Sequence, residues 1–239
     1  MASESEMSKV PIPAHFVLVH GASHGGWCWY KIRCLLEIIG HKVSCPDLTG
    51  SGIDPSDADT IFTFQECNKP LHDILASLPV GEKGKRHSST YEEICDYGYG
   101  EGRDNPPTSV IVKKEFQREI LYQMSPLKDC TLASLLLRPC PIRALGEAMF
   151  TNDKDSDTVP RVYIKTLHDN IASLENQDSV IKNWPPSDVY TIDSDHCPMF
   201  SNPSQLFGLH PRLKIINFNF VLRHLALCIS LILERILNY

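Results

Sequence analysis

Several signatures are missing from this 239-residue chain. Nine cysteines are present, an odd number, and no two form a C-x-x-C pair. A zinc site and a disulfide framework both lose their usual marks. Reduced, mostly buried thiols in a cytoplasmic protein are expected instead. Positive charge is not in excess. A net charge of −6 gives no electrostatic reason to bind nucleic acid or an anionic membrane surface. The basic patch from Lys83 to His87 reads as a solvated loop. No apolar run is long enough to span a bilayer: the longest, Leu225–Leu233, is flanked by Arg223, His224, Glu234 and Arg235, and reads as part of a terminal helix. No metal or nucleotide motif is present, so no cofactor is expected. The opening "MASESEMSKVPIPA" lacks the continuous apolar core of a secretory signal, and residues 1–12 read as a disordered lead.

What is present reads as an α/β protein. "FVLVH", Phe16–His20, is a short apolar run ended by Gly21 and predicts a buried strand. After the glycine-rich "GASHGGW", the apolar positions Trp29, Ile32, Leu35, Leu36 and Ile39 recur at helical spacing, and Gly40 stops the helix. "HKVSCPDL", His41–Leu48, is a second strand. Thr63–Leu78 predicts a helix interrupted by Pro70. Strand, helix, strand, helix opens a parallel α/β sheet. From Leu48 to Val159, however, no convincing core strand follows. Thr108–Leu137 reads mostly as helices, and Pro139–Asp157 as loop or broken helix. Two more strands come late: "VPRVYIKTLHD" ends at Asp169, and "SDVYTIDSDHCPMF" carries Asp195-His196.

Two of these strand ends carry the chemistry of acyl transfer. A Ser-His-Asp machine needs an acid to orient and charge-stabilise an imidazole, which moves a proton between a hydroxyl and the leaving group. In α/β-hydrolases the acid and the histidine follow successive strands, in that order. Asp169 and His196 fit those places. Asp195 is an alternative partner for His196, but adjacent side chains at a strand end point apart, which favours Asp169. The nucleophile is less clear. Gly21-Ala22-Ser23-His24-Gly25 is a literal G-x-S-x-G, the pattern of a nucleophile elbow. Ser88 and Ser89 follow a histidine in "RHSS", yet lack both the preceding strand and the following glycine.

The blocks "VLVHGASHGGWCWYK", "CPDLTGSG", "NPPTSV", "LYQMSP", "RPC", "RVYI" with its following Asp, and "DHCPMFSNP" together resemble the plant methylesterase family. These are α/β-hydrolases related to hydroxynitrile lyases, and they cleave methyl esters of small plant hormones such as salicylate, jasmonate and indole-acetate. The resemblance covers roughly residues 13–80 and 90–207. It implies an α/β-hydrolase-like parallel sheet with a helical cap, a cofactor-free ester hydrolysis, and a small aromatic or oxylipin methyl ester as substrate. Homodimer formation is left open. It also implies that the first strand and its loop hold the oxyanion hole, with the backbone N–H of Ala22 as a donor, and not the nucleophile. Ser23 then sits at a variable loop position.

By the same resemblance, the nucleophile belongs to a third strand soon after a "GEK"-like turn. Here Gly81-Glu82-Lys83 runs straight into "GKRHSSTYEE", which resembles a later segment of the family. The implied reading is a deletion that removes the elbow strand, its helix and the next strand. The serine nucleophile and the second oxyanion N–H go with it. The expected organisation is a lead at 1–12, an α/β-hydrolase-like domain at 13–207 with cap-type helices and loops at about 90–157, and an atypical apolar C-terminal helix at 208–239. The expected activity is that of an impaired methylesterase. The alternatives are a non-catalytic remnant that binds small ligands and a hydroxynitrile lyase. The lyases place a Lys directly after the histidine; here that residue is Cys197, followed by Pro198-Met199. Trp27 and Trp29 are expected to pack under the first helix, and Met199 and Phe200 to pack or to line an acyl pocket.

Overall fold

The computed structural model describes residues 13–76, 94–146 and 162–213. The expectations for the lead, the junction with Ser88 and Ser89, and the segment beyond residue 213 lie outside them.

β1 (His15–Val17) is the first half of the apolar run, and it leads into the glycine-rich loop. A single 3-10 turn, Gly26–Trp29, passes into α1 (Tyr30–Ile38). That helix buries Ile32 and Leu36 and ends where Gly40 takes a left-handed φ of 88°, a conformation glycine adopts without strain. β2 (Lys42–Ser44) pairs with β1 in parallel, with Phe16 opposite Val43. This is the expected opening of an α/β sheet.

The helix expected over Thr63–Leu78 is divided. α2 (Phe64–Cys67) begins at a capping box between Thr63 and Glu66, and α3 (Lys69–Ala76) resumes after Asn68 with Pro70 in its first turn. Proline lacks the N–H that an uninterrupted helix would use there.

The expectation of no core strand between Leu48 and Val159 is corrected. β3 (Cys95–Gly98) and β4 (Ser109–Val112) form an antiparallel pair, with Cys95 opposite Val112 and Tyr97 opposite Val110. Thr108–Leu137 therefore opens with a strand before its helices α4 (Lys114–Ile120) and α5 (Leu127–Leu136). Neither strand advertises itself by alternation. Cys95 and Val110 become core only because the pair packs against α6 (Ile142–Gly146) and the α2–α3 region.

β5 (Val162–Thr166) and β6 (Asp188–Ile192) form a second parallel pair joined by α7 (Leu174–Asn183). Three short helices follow: α8 (Pro198–Ser201), α9 (Pro203–Gly208) and α10 (His210–Leu213). The architecture is α/β. Among the described residues the strands form three separate pairs, β1–β2, β3–β4 and β5–β6.

The core has two apolar clusters. One gathers Val17, Leu48, Ile61, Leu71, Val110 and Leu145; the other gathers Ile32, Leu36, Tyr122, Ile171, Met199 and Phe200. Val112 packs against both. The loops that carry Asp169 and His196 lead into the second cluster at Ile171 and Cys197, while Ala22 packs against the first.

Candidate active site

Asp169 stands just beyond β5, where the chain turns back sharply. Its Oδ1 accepts from the backbone N–H groups of Ile171 (2.8 Å) and Ala172 (2.7 Å), and its Oδ2 accepts from Thr166 Oγ1 at 3.1 Å. Such a carboxylate fixes its own turn. It is also aimed: His196 Nδ1 lies 3.1 Å from Oδ1 and 3.0 Å from Oδ2. The Asp169 side chain is 5% exposed and that of His196 is 11%. The imidazole is held on one edge and keeps a small solvent-facing remainder.

The two groups shift each other. Burial disfavours the Asp169 carboxylate, but the facing His196 and the two backbone donors outweigh it and hold Asp169 below the ordinary carboxylate range. Burial likewise disfavours the imidazolium, yet Asp169, through charge and hydrogen bond, and Asp195 more weakly, hold His196 above its ordinary value. Asp195 itself serves elsewhere. Its Oδ1 accepts from Cys197 N (2.9 Å) and its Oδ2 from Met124 N (3.0 Å) and Ser125 Oγ (2.8 Å), so it ties the histidine loop to the segment before α5. The geometry brings Asp169, not Asp195, to His196.

The glycine-rich loop is held by two further histidines. His20 Nε2 accepts from Leu48 N at 3.0 Å, so its Nδ1 carries the proton and donates to Gly21 O at 2.8 Å. In a trans peptide the Ala22 N–H points away from that carbonyl. Among the described residues that N–H has no hydrogen-bond partner. His24 Nδ1 donates to Ala22 O at 2.9 Å, and its Nε2 accepts from Tyr122 Oη at 2.8 Å. Burial presses His24 down to about 4, against the Ala22 bond and helped by the nearby His196 and His20 rings. It stays neutral at physiological pH. Both peptides around Ala22 are therefore fixed by buried imidazoles. His20, His24 and Tyr122 were not singled out from the sequence, although all three lie inside the conspicuous blocks "VHGASHGG" and "LYQMSP".

Ser23 does not join this group. Its hydroxyl reaches Val110 O at 3.5 Å, its carbonyl accepts from Arg138 N, and no described serine hydroxyl bonds to His196. Ser23 is, among the described residues, the one non-glycine with positive φ, at 62°. The strain of a tight turn is present there, without the hydrogen bond to a base that a nucleophile needs.

The aromatic residues divide as their burial dictates. Trp27 stacks between His24 (5.6 Å) and Phe200 (6.2 Å). Trp29 packs against the second cluster, in which Met199 and Phe200 are buried. Cys197 Sγ lies 3.8 Å from His24 Nε2 and is buried. On the far side of Asp169 an open cleft of about 720 Å³ is lined by Gln123, Met124, His168, Asn170 and Leu174 among others.

The chain is similar to known proteins over most of its length. No family model matches the chain. Methylesterase 17 of Arabidopsis thaliana is 41% identical over 265 residues, covering 87% of this chain and 96% of that protein. Pheophorbidase of Raphanus sativus is 41% identical over 240 residues, covering 81% of this chain and 91% of its own length. Among solved structures, an Arabidopsis methylesterase superposes with a TM-score of 0.76 at 39% identity, covering 83% of this chain and 98% of that one.

Proposed function

Because the chain belongs to the plant methylesterase family, we propose that it is a carboxylester hydrolase whose charge relay and one oxyanion donor are in place but whose serine nucleophile is absent. In this reading His196 is the general base and acid, Asp169 orients it, and the Ala22 N–H faces the developing oxyanion. The ester is a methyl ester of a small plant hormone, of the salicylate, jasmonate or indole-acetate class. Hydrolysis proceeds at a small residual rate, with water taking the place of the serine. The protein works in the cytoplasm, in line with eight free cysteines among the described residues.

The observation that carries the proposal is the Asp169–His196 pair with no serine hydroxyl of the described residues on the imidazole. Two further facts support a lost segment. The alignment with Methylesterase 17 is longer than this whole chain, so that relative has residues for which this chain has no counterpart. Among the described residues the two parallel pairs also stand apart, where a continuous parallel sheet would join them.

Loss of one triad member lowers turnover by several orders of magnitude and leaves about 10³–10⁴ over the water reaction. The test is fluorophosphonate treatment of the purified chain, with the adduct located by mass spectrometry, beside turnover of methyl salicylate and methyl jasmonate. The expected result is no adduct, slow turnover, and loss of that turnover in His196→Ala. An adduct that vanishes in Ser23→Ala would overturn the proposal and make the literal G-x-S-x-G a working elbow. Absence of turnover would favour a remnant that only binds, and turnover indifferent to His196→Ala would overturn the role given to that histidine. Cleavage of mandelonitrile would favour a lyase, against the presence of Cys197 where those enzymes place a lysine.

A further inference from the structure

Ala22 lies on the loop after β1, while Asp169 and His196 follow β5 and β6. Among the described residues no ladder joins the β1–β2 pair to the β5–β6 pair. A shared sheet therefore does not set the place of the Ala22 N–H relative to the His196 ring. Trp27 stacks on Phe200 across the gap, but apolar burial is non-directional. Cys197 Sγ stands 3.8 Å from His24 Nε2, and Lys31 Nζ 3.4 Å from Phe200 O. Both are long for hydrogen bonds.

One turn reaches all three loops. Tyr122–Ser125, between α4 and α5, closes on itself: Ser125 N donates to Tyr122 O at 3.1 Å, the bond of a β-turn. Its other donors point three ways. Tyr122 Oη donates to His24 Nε2 at 2.8 Å, in the loop of Ala22. Gln123 Nε2 donates to His168 O, beside Asp169. Met124 N (3.0 Å) and Ser125 Oγ (2.8 Å) donate to Asp195, beside His196. These partners lie 98, 45 and at least 70 residues away along the chain, so no local turn brings them together. Glu119 O of α4 adds a second bond to the acid loop, accepting from Asn170 Nδ2 at 2.8 Å.

The turn is itself held. Arg118 of α4 donates from Nη1 to Ser125 O at 2.6 Å and from Nη2 to Gln123 O at 3.3 Å. Its Nη1 also lies 2.6 Å from Cys130 Sγ in the first turn of α5. A planar guanidinium fixes several acceptors in one geometry, which a lysine ammonium does not. Tyr122 and Ser125 are buried, where a broken hydrogen bond strands its partner at a cost. Misplacing a reacting group by about 1 Å costs about 10²-fold in rate, so the register of these loops bears directly on the chemistry.

We propose that the Tyr122–Ser125 turn, clamped by Arg118, is the positioning element that registers the Asp169–His196 pair against the Ala22 N–H. Tyr122, Gln123, Ser125 and Arg118 are positioning residues: they act through His24, His168 and Asp195. This role rests on the esterase reading of Ala22, Asp169 and His196.

NMR of the full chain tests it, with one readout on each side of the gap: the ring titration of His196 and the amide resonance of Ala22. Arg118→Ala touches neither group, yet is expected to move both. The Asp169–His196 contact loosens, and the His196 pKa falls by about 0.5 units or more toward its ordinary value. Arg118→Lys keeps the charge without the fork and is expected to fall between. Arg33→Ala, which removes an exposed ion pair with Glu37 on α1, is expected to move neither. Should Arg118→Ala unfold, two milder variants each cut one bond. Tyr122→Phe is expected to move the Ala22 amide, and Ser125→Ala the His196 titration. Unmoved readouts in a folded Arg118→Ala overturn the proposal, as do equal shifts in Arg33→Ala. So do unmoved readouts in both milder variants. Neither readout needs turnover. A chain inert toward methyl esters whose readouts move as expected fails the functional reading alone, and an active chain whose readouts stay fixed fails this one alone.

Discussion

At the scale of single residues, the Asp169–His196 pair sets its own pH window. Asp169 is held below its ordinary value, so its contribution is complete above the unfolded carboxylate pKa of about 3.9 and is lost as the pH falls through the folded value. His196 is held above its ordinary value. Its contribution is complete below the unfolded imidazole pKa of about 6.5 and is lost as the pH rises through the folded value. The charged pair therefore stabilises the fold most between about pH 4 and 6.5. Asp169→Asn is expected to lower the His196 pKa by about 1–3 units, read from its ring protons by NMR titration. Urea unfolding should show the variant furthest below the parent near pH 5, with the difference narrowing by pH 8. The Asp169–His196 pairing was legible in the sequence because each residue closes an apolar run and the two follow successive strands. Ser23 shows the opposite case. Its motif is intact as a string, but its hydroxyl points to Val110 O, and only three-dimensional context shows that no base stands beside it.

At the scale of elements, α5 is fastened to α1 by a buried carboxylate. Asp129 in α5 is 1% exposed and accepts from Tyr30 Oη at 2.6 Å and Lys31 Nζ at 2.5 Å, both in α1. Asp129→Ala removes both bonds and strands a lysine that is 18% exposed. Because Lys31 can turn partly to water, the expected loss is about 2 kcal/mol, below the ~3–5 kcal/mol of a fully buried broken pair. Chemical denaturation measures it, and Asp129→Asn should restore part of it by keeping the Tyr30 bond. The elements with strong local signals were readable: α1 from its spacing and Gly40, β5 and β6 from their β-branched runs. The β3–β4 pair was not. "CDYG" has no alternation of its own, and it is a strand because Ser109–Val112 lies beside it. Pairing across the chain is the kind of information a local pattern does not hold.

At the scale of the whole molecule, the α/β class and the parallel opening followed from the order of strands and helices. Among the described residues the β1–β2 and β5–β6 pairs stand apart. The division of the core into two clusters, by contrast, had no sequence signal, because residues from distant segments interleave in each. Each cluster holds its own thiols: Cys67, Cys95 and Cys140 in one, Cys28, Cys130 and Cys197 in the other. Burial pushes the Cys95 thiol up to about 11 and Cys28 well above its usual range. A thiol so protonated does not react until its surroundings open. Cys34 alone among the described cysteines is exposed, and it should react with a maleimide at once. The six buried in the two clusters then act as two sets of clocks. Peptide-resolved alkylation over time should give one rate for the first set and another for the second if the halves breathe separately, and a single shared rate if Val112, packed against both, makes them open as one.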